Sequence, residues 1–495
     1  MESENAKKEE EFDSEAAGLL LKELRATFAT GKTRSYEWRV SQLKSLLKLT
    51  SDHEEDIIHA LHSDLSKPAL EAALLEIASV KSSCEFMLKR LKQWVMPERV
   101  KSSIITFPSS SRIVPDPLGV VLVMSAWNYP FVLSLDPMIG AIAAGNAVAL
   151  KPSEMAPATS TLLAKLLGEY MDYSAVKVVE GGVSETSALL EHKWDKIFYT
   201  GNAKVGRIVL TAAAKHLTPV TLELGGKCPV IVDSNINLKV ATNRIIMGKW
   251  GLNNGQTCVA ADHIITTKDF APKLIDTLKV GLERFYGNNP LMSKDISRIV
   301  NSNHFSRLTK LLDEDKVSGK IVHGGQRDKI NQRISPTLLL DVPEDSLIMK
   351  EEIFGPLLPI ITVENLEDSF NIINSREKPL AAYLFTNNRT LMEKFARNVT
   401  AGGLVINDIA SHIMNPHLPF GGVGESGMGS YHGRFSFDNF THKKAVVSRP
   451  LVGDISARYP PYTPGKQGMQ KALLSGNIFS IALALFRRLK TRGIP

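Results

Sequence analysis

The sequence predicts an α/β protein built on two doubly wound parallel-sheet domains. Short apolar runs alternate with segments of helical periodicity, and that alternation comes in two successive series separated by Gly225-Gly226. The 495 residues, 43% of them hydrophobic, are enough to bury two cores, so more than one domain is expected.

Taken in order, residues 1–15 carry two Lys against seven Asp or Glu and read as a solvated acidic tail. From 17 to 95 apolar positions recur at helical spacing, with Pro68 and Pro97 as breaks. The first strand series is VVLVMS (120–125), AVALK (147–151), VKVVE (176–180), KIFYT (196–200) and TPVTLEL (218–224). Helices are expected around 135–144, 158–171, 184–191 and 203–215, which places ligand chemistry at the carboxyl ends of parallel strands. The second series is VIVD (230–233), HIIT (263–266), the apolar density at 357–362, AAYLF (381–385) and GLVIN (403–407). No fixed-period repeat and no low-complexity tract interrupts the pattern.

Composition narrows the function classes. The formal charge of +7 is offset at the two ends, and only a mild excess is left on the middle of the chain, which argues against a nucleic-acid partner. Three cysteines, Cys84, Cys228 and Cys258, are too few for a disulfide framework and fit a reduced compartment. The start has neither the apolar core of a signal peptide nor the composition of a transit peptide, and no run of eighteen apolar residues occurs, so a cytoplasmic protein is expected. Residues 461–495 are basic, and ALLSGNIFSIALALF (472–486) precedes Arg487, Arg488, Lys490 and Arg492. That tail either makes a peripheral membrane contact or packs on the protein.

The chemistry is carried by Gly255-Gln256-Thr257-Cys258 and, upstream of it, Glu223-Leu224-Gly225-Gly226-Lys227. A cysteine thiolate attacks carbonyl carbon well, and a helix beginning at this turn is expected to lower its pKa. A nearby carboxylate then activates water to release the acyl group. Each residue alone has a plainer reading: Glu223 as a strand-end carboxylate paired with Lys227, and Cys258 as a small buried thiol.

Gly201, Asn202, Ala203, Lys204, Val205 and Gly206 follow a strand and open a helix, where free backbone amides suit a pyrophosphate; a tight strand-to-helix turn is the plainer reading. Arg207-Ile208 stands where a nucleoside triphosphate loop needs Lys-Ser/Thr. In Lys151-Pro152-Ser153-Glu154, Ser153 and Glu154 either cap the next helix or serve a ligand. His53-Glu54 begins like a zinc protease motif, but Ile57 replaces its second histidine, and His59 and His62 read as a wet helix face. Asp262 and His263 lie close enough to Cys258 to raise a cysteine hydrolase, yet spacing alone makes no triad. No Cys/His cluster has metal-ligand spacing, and no metal is expected.

These motifs resemble the aldehyde dehydrogenases. LELGGK (222–227) and GQTC (255–258) resemble that family's two catalytic signatures, joined by PLGVVLVMSAWNYP (117–130), GNAVALKPSE (145–154), FYTGNAKVGR (198–207) and EEIFGP (351–356). LPFGGVGESGMGSYHGRFSFDNFTHKK (418–444) is most similar to the class 3 branch, which includes fatty aldehyde dehydrogenases.

The resemblance runs from about 18 to about 450 and implies an NAD-binding domain (16–222), interrupted by a bridging hairpin near 103–117. A catalytic domain (223–417) and a return segment with the bridging, subunit-pairing element (418–460) complete the implied organisation. It further implies Cys258 as nucleophile, Glu223 as base, and Asn128 with the Cys258 N–H as oxyanion hole. The cofactor would be NAD, with NADP as a second candidate. Lys151 and Glu154 would hold the adenosine ribose, residues 201–206 the pyrophosphate, Glu352 the nicotinamide ribose and Phe354 the nicotinamide. Asn202 replaces the serine more usual in that turn. The expected function is oxidation of medium- or long-chain aliphatic aldehydes by a homodimer. A cysteine esterase without a redox step and a membrane-surface scaffold are the alternatives.

Overall fold

The structure, a computed structural model, describes residues 12–102, 106, 108–452, 454, 456–477 and 479–483. Most of the acidic tail and the four cations after residue 486 lie outside the described residues. The first helix starts earlier than the tail reading allows: Asp13 caps Ser14–Ala29, its Oδ1 accepting from Ala16 N at 2.9 Å. Helices Tyr36–Asp52, Glu54–Leu65 and Ala78–Trp94 follow, and Pro68 interrupts them as its missing N–H dictates. Between them Ala72–Ile77 is π-helical, a widened turn that regular spacing does not announce.

Strands β1 (Glu98–Val100) and β2 (Ser110–Pro117) form an antiparallel hairpin, with Glu98 opposite Ile113. Next come β3 (Val120–Met124), β4 (Ala147–Lys151), β5 (Val176–Val178), β6 (Lys196–Thr200) and β7 (Val220–Glu223). The chain then enters β8 (Pro229–Val232), β9 (His263–Thr267) and β10 (Ile321–His323). A ribbon of β11 (Arg327–Asp328) and β12 (Arg333–Ile334) precedes β13 (Thr337–Leu340) and β14 (Leu357–Val363). After these come β15 (Ala381–Phe385), β16 (Gly403–Ile406), β17 (Gly427–Met428) and β18 (Thr441–Ser448).

The first large sheet has the order β17-β7-β6-β3-β4-β5, the second β10-β13-β14-β9-β8-β15-β16. Every residue of β3, β4, β6 and β15 is buried, which explains why these strands read as continuous apolar runs without alternation. Neither sheet is wholly parallel. β17 runs antiparallel to β7, and β10 antiparallel to β13. β10 and β13 escape the sequence reading because each is short and neither is followed by a plain amphipathic helix.

Both large sheets belong to one compact unit, formed by the chain up to residue 91 and by 117–440. Residues 92–116 and those from 441 make a second unit, in which β1, β2 and β18 form a three-stranded sheet. The hairpin expected near 103–117 thus has its first strand farther upstream, at 98–100.

Topology sets out the site. Asn128 follows β3, Lys151 ends β4, Gly201 follows β6 and Glu223 ends β7, all at the carboxyl ends of neighbouring parallel strands, where an open α/β sheet reverses its strand order. The second sheet contributes from its opposite ends. Segments 225–228, 255–262 and 351–356 lead into β8, β9 and β14, which lie side by side with Val230 opposite Ile264 and Ile264 opposite Ile360.

Candidate active site

Cys258 lies in a turn, not at a helix start. The chain passes through a 3-10 turn at Asn253–Gly255, with Asn253 and Asn254 at positive φ, and reaches β9 at His263. Gln256 holds the turn from inside the protein, donating to Asn253 O at 3.1 Å and Arg298 O at 2.9 Å and accepting from Val300 N at 3.0 Å. Thr257 Oγ1 donates to Leu252 O at 2.8 Å.

The expectation of a lowered thiol pKa is therefore corrected. Burial first, then the charges of Glu352 and Glu223, push Cys258 up to about 12, against backbone N–H groups of Cys258 and Val259 that favour the thiolate. Those N–H groups are also donors beside the sulfur. Cys228 donates its thiol to Cys258 O at 3.3 Å and so forms part of the turn's support. Cys84 is wholly buried in its helix.

Asn128 is buried, and its side-chain amide donates to Gln256 O at 3.1 Å, two residues before Cys258. Its carbonyl accepts from Lys67 Nζ and from Asn253 Nδ2, each at 2.9 Å. The residue is thus locked between the end of β3 and the nucleophile turn, with its second amide hydrogen available to a ligand oxygen.

Glu223 is buried, with neither carboxylate oxygen engaged in a hydrogen bond. Burial accordingly pushes its pKa well above the ordinary carboxylate range. The strand-end pairing with Lys227 does not form: Lys227 Nζ goes instead to Asp262 Oδ1 at 2.5 Å, Ile348 O at 2.8 Å and Glu351 O at 2.9 Å. Room beside Glu223 is kept by Gly421, where a Cβ would stand 3.2 Å from Glu223 Oε1. Once ionised, a buried, unpaired carboxylate in such a place can take a proton from water.

Asp262 organises the wall opposite. Its Oδ2 accepts from Ile353 N at 2.9 Å while Oδ1 holds Lys227, which ties the 351–356 segment to the residues entering β9. Burial works to raise its pKa, but the charge of Lys227, with the hydrogen bond and charge of His263, outweighs it and holds the carboxyl well below the usual carboxylate range. His263 Nδ1 lies 3.3 Å from the same Oδ1, and no hydrogen bond among the described residues joins its ring to Cys258. The Asp262-His263 pair is therefore scaffold. His53, the other decoy, bonds Asp56 at 2.8 Å and Tyr170 at 3.1 Å, and His59 and His62 are exposed.

Glu352 packs on Gly225 so closely that a Cβ there would lie 2.2 Å from its Oε2. Burial raises its carboxyl to about 7. Phe354, at φ 47°, meets Trp127 edge-on at 5.4 Å between ring centroids. Both residues therefore stand on the segment that enters β14, next to the turn of Cys258.

The remaining candidates sit at the ends of β4 and β6. Lys151 Nζ, buried, pairs with Glu154 Oε2 at 2.7 Å, and the Glu154 side chain is about half exposed, at 47%. Asn202 caps helix Ala203–Ala214, its Oδ1 accepting from Val205 N at 3.0 Å. That leaves the N–H groups of Ala203 and Lys204 at the helix start, while Gly206 N already bonds Asn202 O at 2.9 Å. At Gly201 any Cβ would strike Tyr199 Oη at 2.1 Å. An accessible carboxylate on one strand end and a glycine-lined helix start two strands away fit the ribose and pyrophosphate of a dinucleotide.

Sequence reading missed Lys67, Glu71 and Glu76, which from the helical N-terminal region touch Asn128, the nucleophile turn and the Phe131 N–H just beyond Asn128, respectively. Nothing in their spacing signals this, because it depends on a π-helical turn and on contacts distant along the chain.

The aldehyde dehydrogenase family model matches residues 3–446. Aldehyde dehydrogenase family 3 member H1 of Arabidopsis thaliana is 64% identical over 470 residues, covering 95% of this chain and 97% of its own. The dimeric NADP-preferring aldehyde dehydrogenase of Rattus norvegicus is 46% identical, with 90% and 98% covered. Among solved structures, substrate-bound AldH of Staphylococcus aureus superposes with a TM-score of 0.90 at 43% identity, over 92% of this chain and 99% of that one. The chain belongs to the aldehyde dehydrogenase family, is closely related to its family 3 enzymes, and is an NAD(P)-dependent oxidoreductase of aldehydes.

Proposed function

We propose that this member of the aldehyde dehydrogenase family oxidises medium- or long-chain aliphatic aldehydes to carboxylic acids through a thiohemiacetal and a thioester on Cys258. The observation that carries the reading is the buried Glu223 carboxylate, unpaired at both oxygens, beside the Cys258 turn. The Cys258 sulfur, as thiolate, bonds to the carbonyl carbon, and the carbonyl π electrons move to oxygen, where the Asn128 amide and the Cys258 N–H hold them. Bound NAD(P) would supply a positive charge that favours the thiolate and the acceptor for the hydride that leaves as the C–H bond breaks, the oxygen electrons returning to carbon so that a thioester remains on Cys258. Glu223 then takes a proton from water as the water oxygen attacks the thioester; the C–S bond breaks and Cys258 regains its proton.

Lys151 and Glu154 would hold the adenosine ribose, the turn of Gly201, Asn202, Ala203, Lys204, Val205 and Gly206 the pyrophosphate through the N–H groups of Ala203 and Lys204, and Glu352 and Phe354 the nicotinamide end. Glu154 would accept from the ribose hydroxyls and repel a 2'-phosphate, so NAD is the favoured cofactor, with NADP accepted less well. Residues 16–222 would form the cofactor-binding half and 223–417 the catalytic half. The name of the rat relative includes the word dimeric, and a homodimer is the corresponding proposal here; light scattering on the purified chain tests it. A cytoplasmic setting is proposed with it, checked by cell fractionation.

A panel of aldehydes of increasing chain length, assayed separately with NAD and NADP, tests reaction, substrate class and cofactor together. Cys258→Ala should bind NAD and lose dehydrogenase activity, because no thioester can form. More than a few per cent of wild-type turnover in that variant would sink the assignment.

A further inference from the structure

Behind the nucleophile turn lie three ionisable side chains that the proposed chemistry does not use. Lys67 and Glu76 are both wholly buried and bonded to each other through Nζ and Oε1. Lys67 Nζ also donates to Asn128 O at 2.9 Å and stands 3.8 Å from the centroid of the Tyr129 ring. The other oxygen of Glu76 accepts from Phe131 N at 2.9 Å and Val132 N at 3.1 Å, at the start of helix Val132–Ala144. Glu71 Oε1 accepts from Asn253 N at 2.8 Å and from the Tyr129 hydroxyl at 3.2 Å, and Thr257 Oγ1 lies 3.3 Å from that hydroxyl. Two segments are thereby fixed from one short stretch: 128–132, which carries Asn128, and 253–257, which leads to Cys258.

The π-helical turn Ala72–Ile77 explains how one stretch reaches both. In an α-helix, at 3.6 residues per turn, positions 71 and 76 would point roughly 140° apart, whereas i→i+5 hydrogen bonding stacks residues five apart on one face. Glu71 and Glu76 are thereby brought to one side, Glu71 to Asn253 and the Tyr129 hydroxyl and Glu76 to the N–H groups of Phe131 and Val132. Stability does not account for the Lys67-Glu76 pair, since a fully desolvated ion pair is commonly matched or exceeded by apolar side chains of similar volume. What an apolar pair could not do is hold a main-chain carbonyl and two main-chain N–H groups in fixed places.

We propose that Lys67 and Glu76, with Glu71 on the same π-helical face, are positioning residues of the oxyanion hole: they set the Asn128 amide against the Cys258 turn. This rests on the reading of Asn128 as an oxyanion donor. Lys67 acts through the Asn128 carbonyl, Glu76 through the two N–H groups that follow Tyr129-Pro130, and Glu71 through Asn253 and Tyr129. The effect belongs to both half-reactions, because acylation and deacylation each build charge on the same oxygen.

The test is a double-mutant cycle on the full-length enzyme with Lys67→Met and Asn128→Ala, read by kcat and KM for an aldehyde, by cofactor-free hydrolysis of p-nitrophenyl acetate, and by the Kd for NAD. Lys67→Met should lower kcat and the rate of ester hydrolysis by about tenfold or more while leaving the Kd for NAD within about twofold. In the Asn128→Ala background the same change should alter kcat by less than about twofold, since the amide it positions is gone; a merely structural residue would multiply its effect instead. Wild-type kcat in Lys67→Met, or fully multiplicative effects, overturns the proposal. Wild-type turnover in Asn128→Ala overturns the oxyanion reading itself, an outcome separate from the fate of Lys67→Met. If Lys67→Met does not accumulate as folded protein, Glu71→Ala carries the test, because its side chain is only partly buried. A fall in kcat of about threefold or more with unchanged Kd for NAD supports positioning, and wild-type kcat overturns it.

Discussion

Lys227 donates to Asp262 at 2.5 Å and leaves Glu223, on the preceding strand, with both carboxylate oxygens unpaired. One lysine thus decides the character of two carboxylates. Asp262, paired, is held strongly acidic, and Glu223, desolvated and alone, is made a better base.

Replacing Glu223 with Gln keeps the shape and removes the base. A burst of NADH stoichiometric with enzyme should be followed by turnover slowed by about a hundredfold or more, the scale of general-base catalysis. Rapid-mixing absorbance measures the burst, and intact-mass spectrometry the acyl-enzyme. Because the Glu223 pKa is raised, the acid limb of the wild-type kcat profile should lie above the ordinary carboxylate range and disappear in the variant. A variant that deacylates at the normal rate makes Glu223 structural.

The same shift fixes how stability depends on pH. A carboxyl whose pKa is raised by folding binds its proton more tightly in the native state, so its stabilising contribution is complete below the unfolded pKa. As pH rises from there through the folded pKa, that contribution is lost. Glu223→Gln should therefore raise the melting temperature at pH 7 to 8 and have little effect near pH 4. A melting temperature that falls at neutral pH would show that Glu223 gains more from its surroundings than it loses by burial.

Glu154→Gln or Glu154→Thr removes a negative charge from the exposed turn after β4, beside Lys151. With repulsion of a 2'-phosphate relieved and some ribose bonding lost, the ratio of kcat/KM for NADP to that for NAD should rise by about tenfold. An unchanged ratio moves the discriminating residue elsewhere.

The C-terminal stretch carries exposed apolar side chains as far as it is described, with Phe479 80% exposed, and no helix among the described residues is long and apolar enough to cross a membrane. Deletion of 465–495 should lower either vesicle cosedimentation or the preference for long over short aldehydes, with the chemistry at Cys258 intact. If both match the full-length enzyme, the tail neither anchors nor gates.

The sequence by itself determined which strands are buried, where each candidate segment leaves its strand, and which residues could supply a nucleophile, a base and a cradle for a dinucleotide. Strands buried on both faces are largely apolar, so β3, β4, β6 and β15 were legible, and the glycine turn at Gly225-Gly226 marks the end of β7. The electrostatics of those residues were decided only by the tertiary structure. Cys258 was expected at a helix start with a lowered pKa and lies in a buried turn beside two carboxylates; Glu223 was a plausible partner of Lys227 and stands alone. The support from Lys67, Glu71 and Glu76 was invisible for the same reason. A pKa and a hydrogen-bond partner depend on what lies within a few ångströms in space, and those neighbours come from segments far apart in the chain.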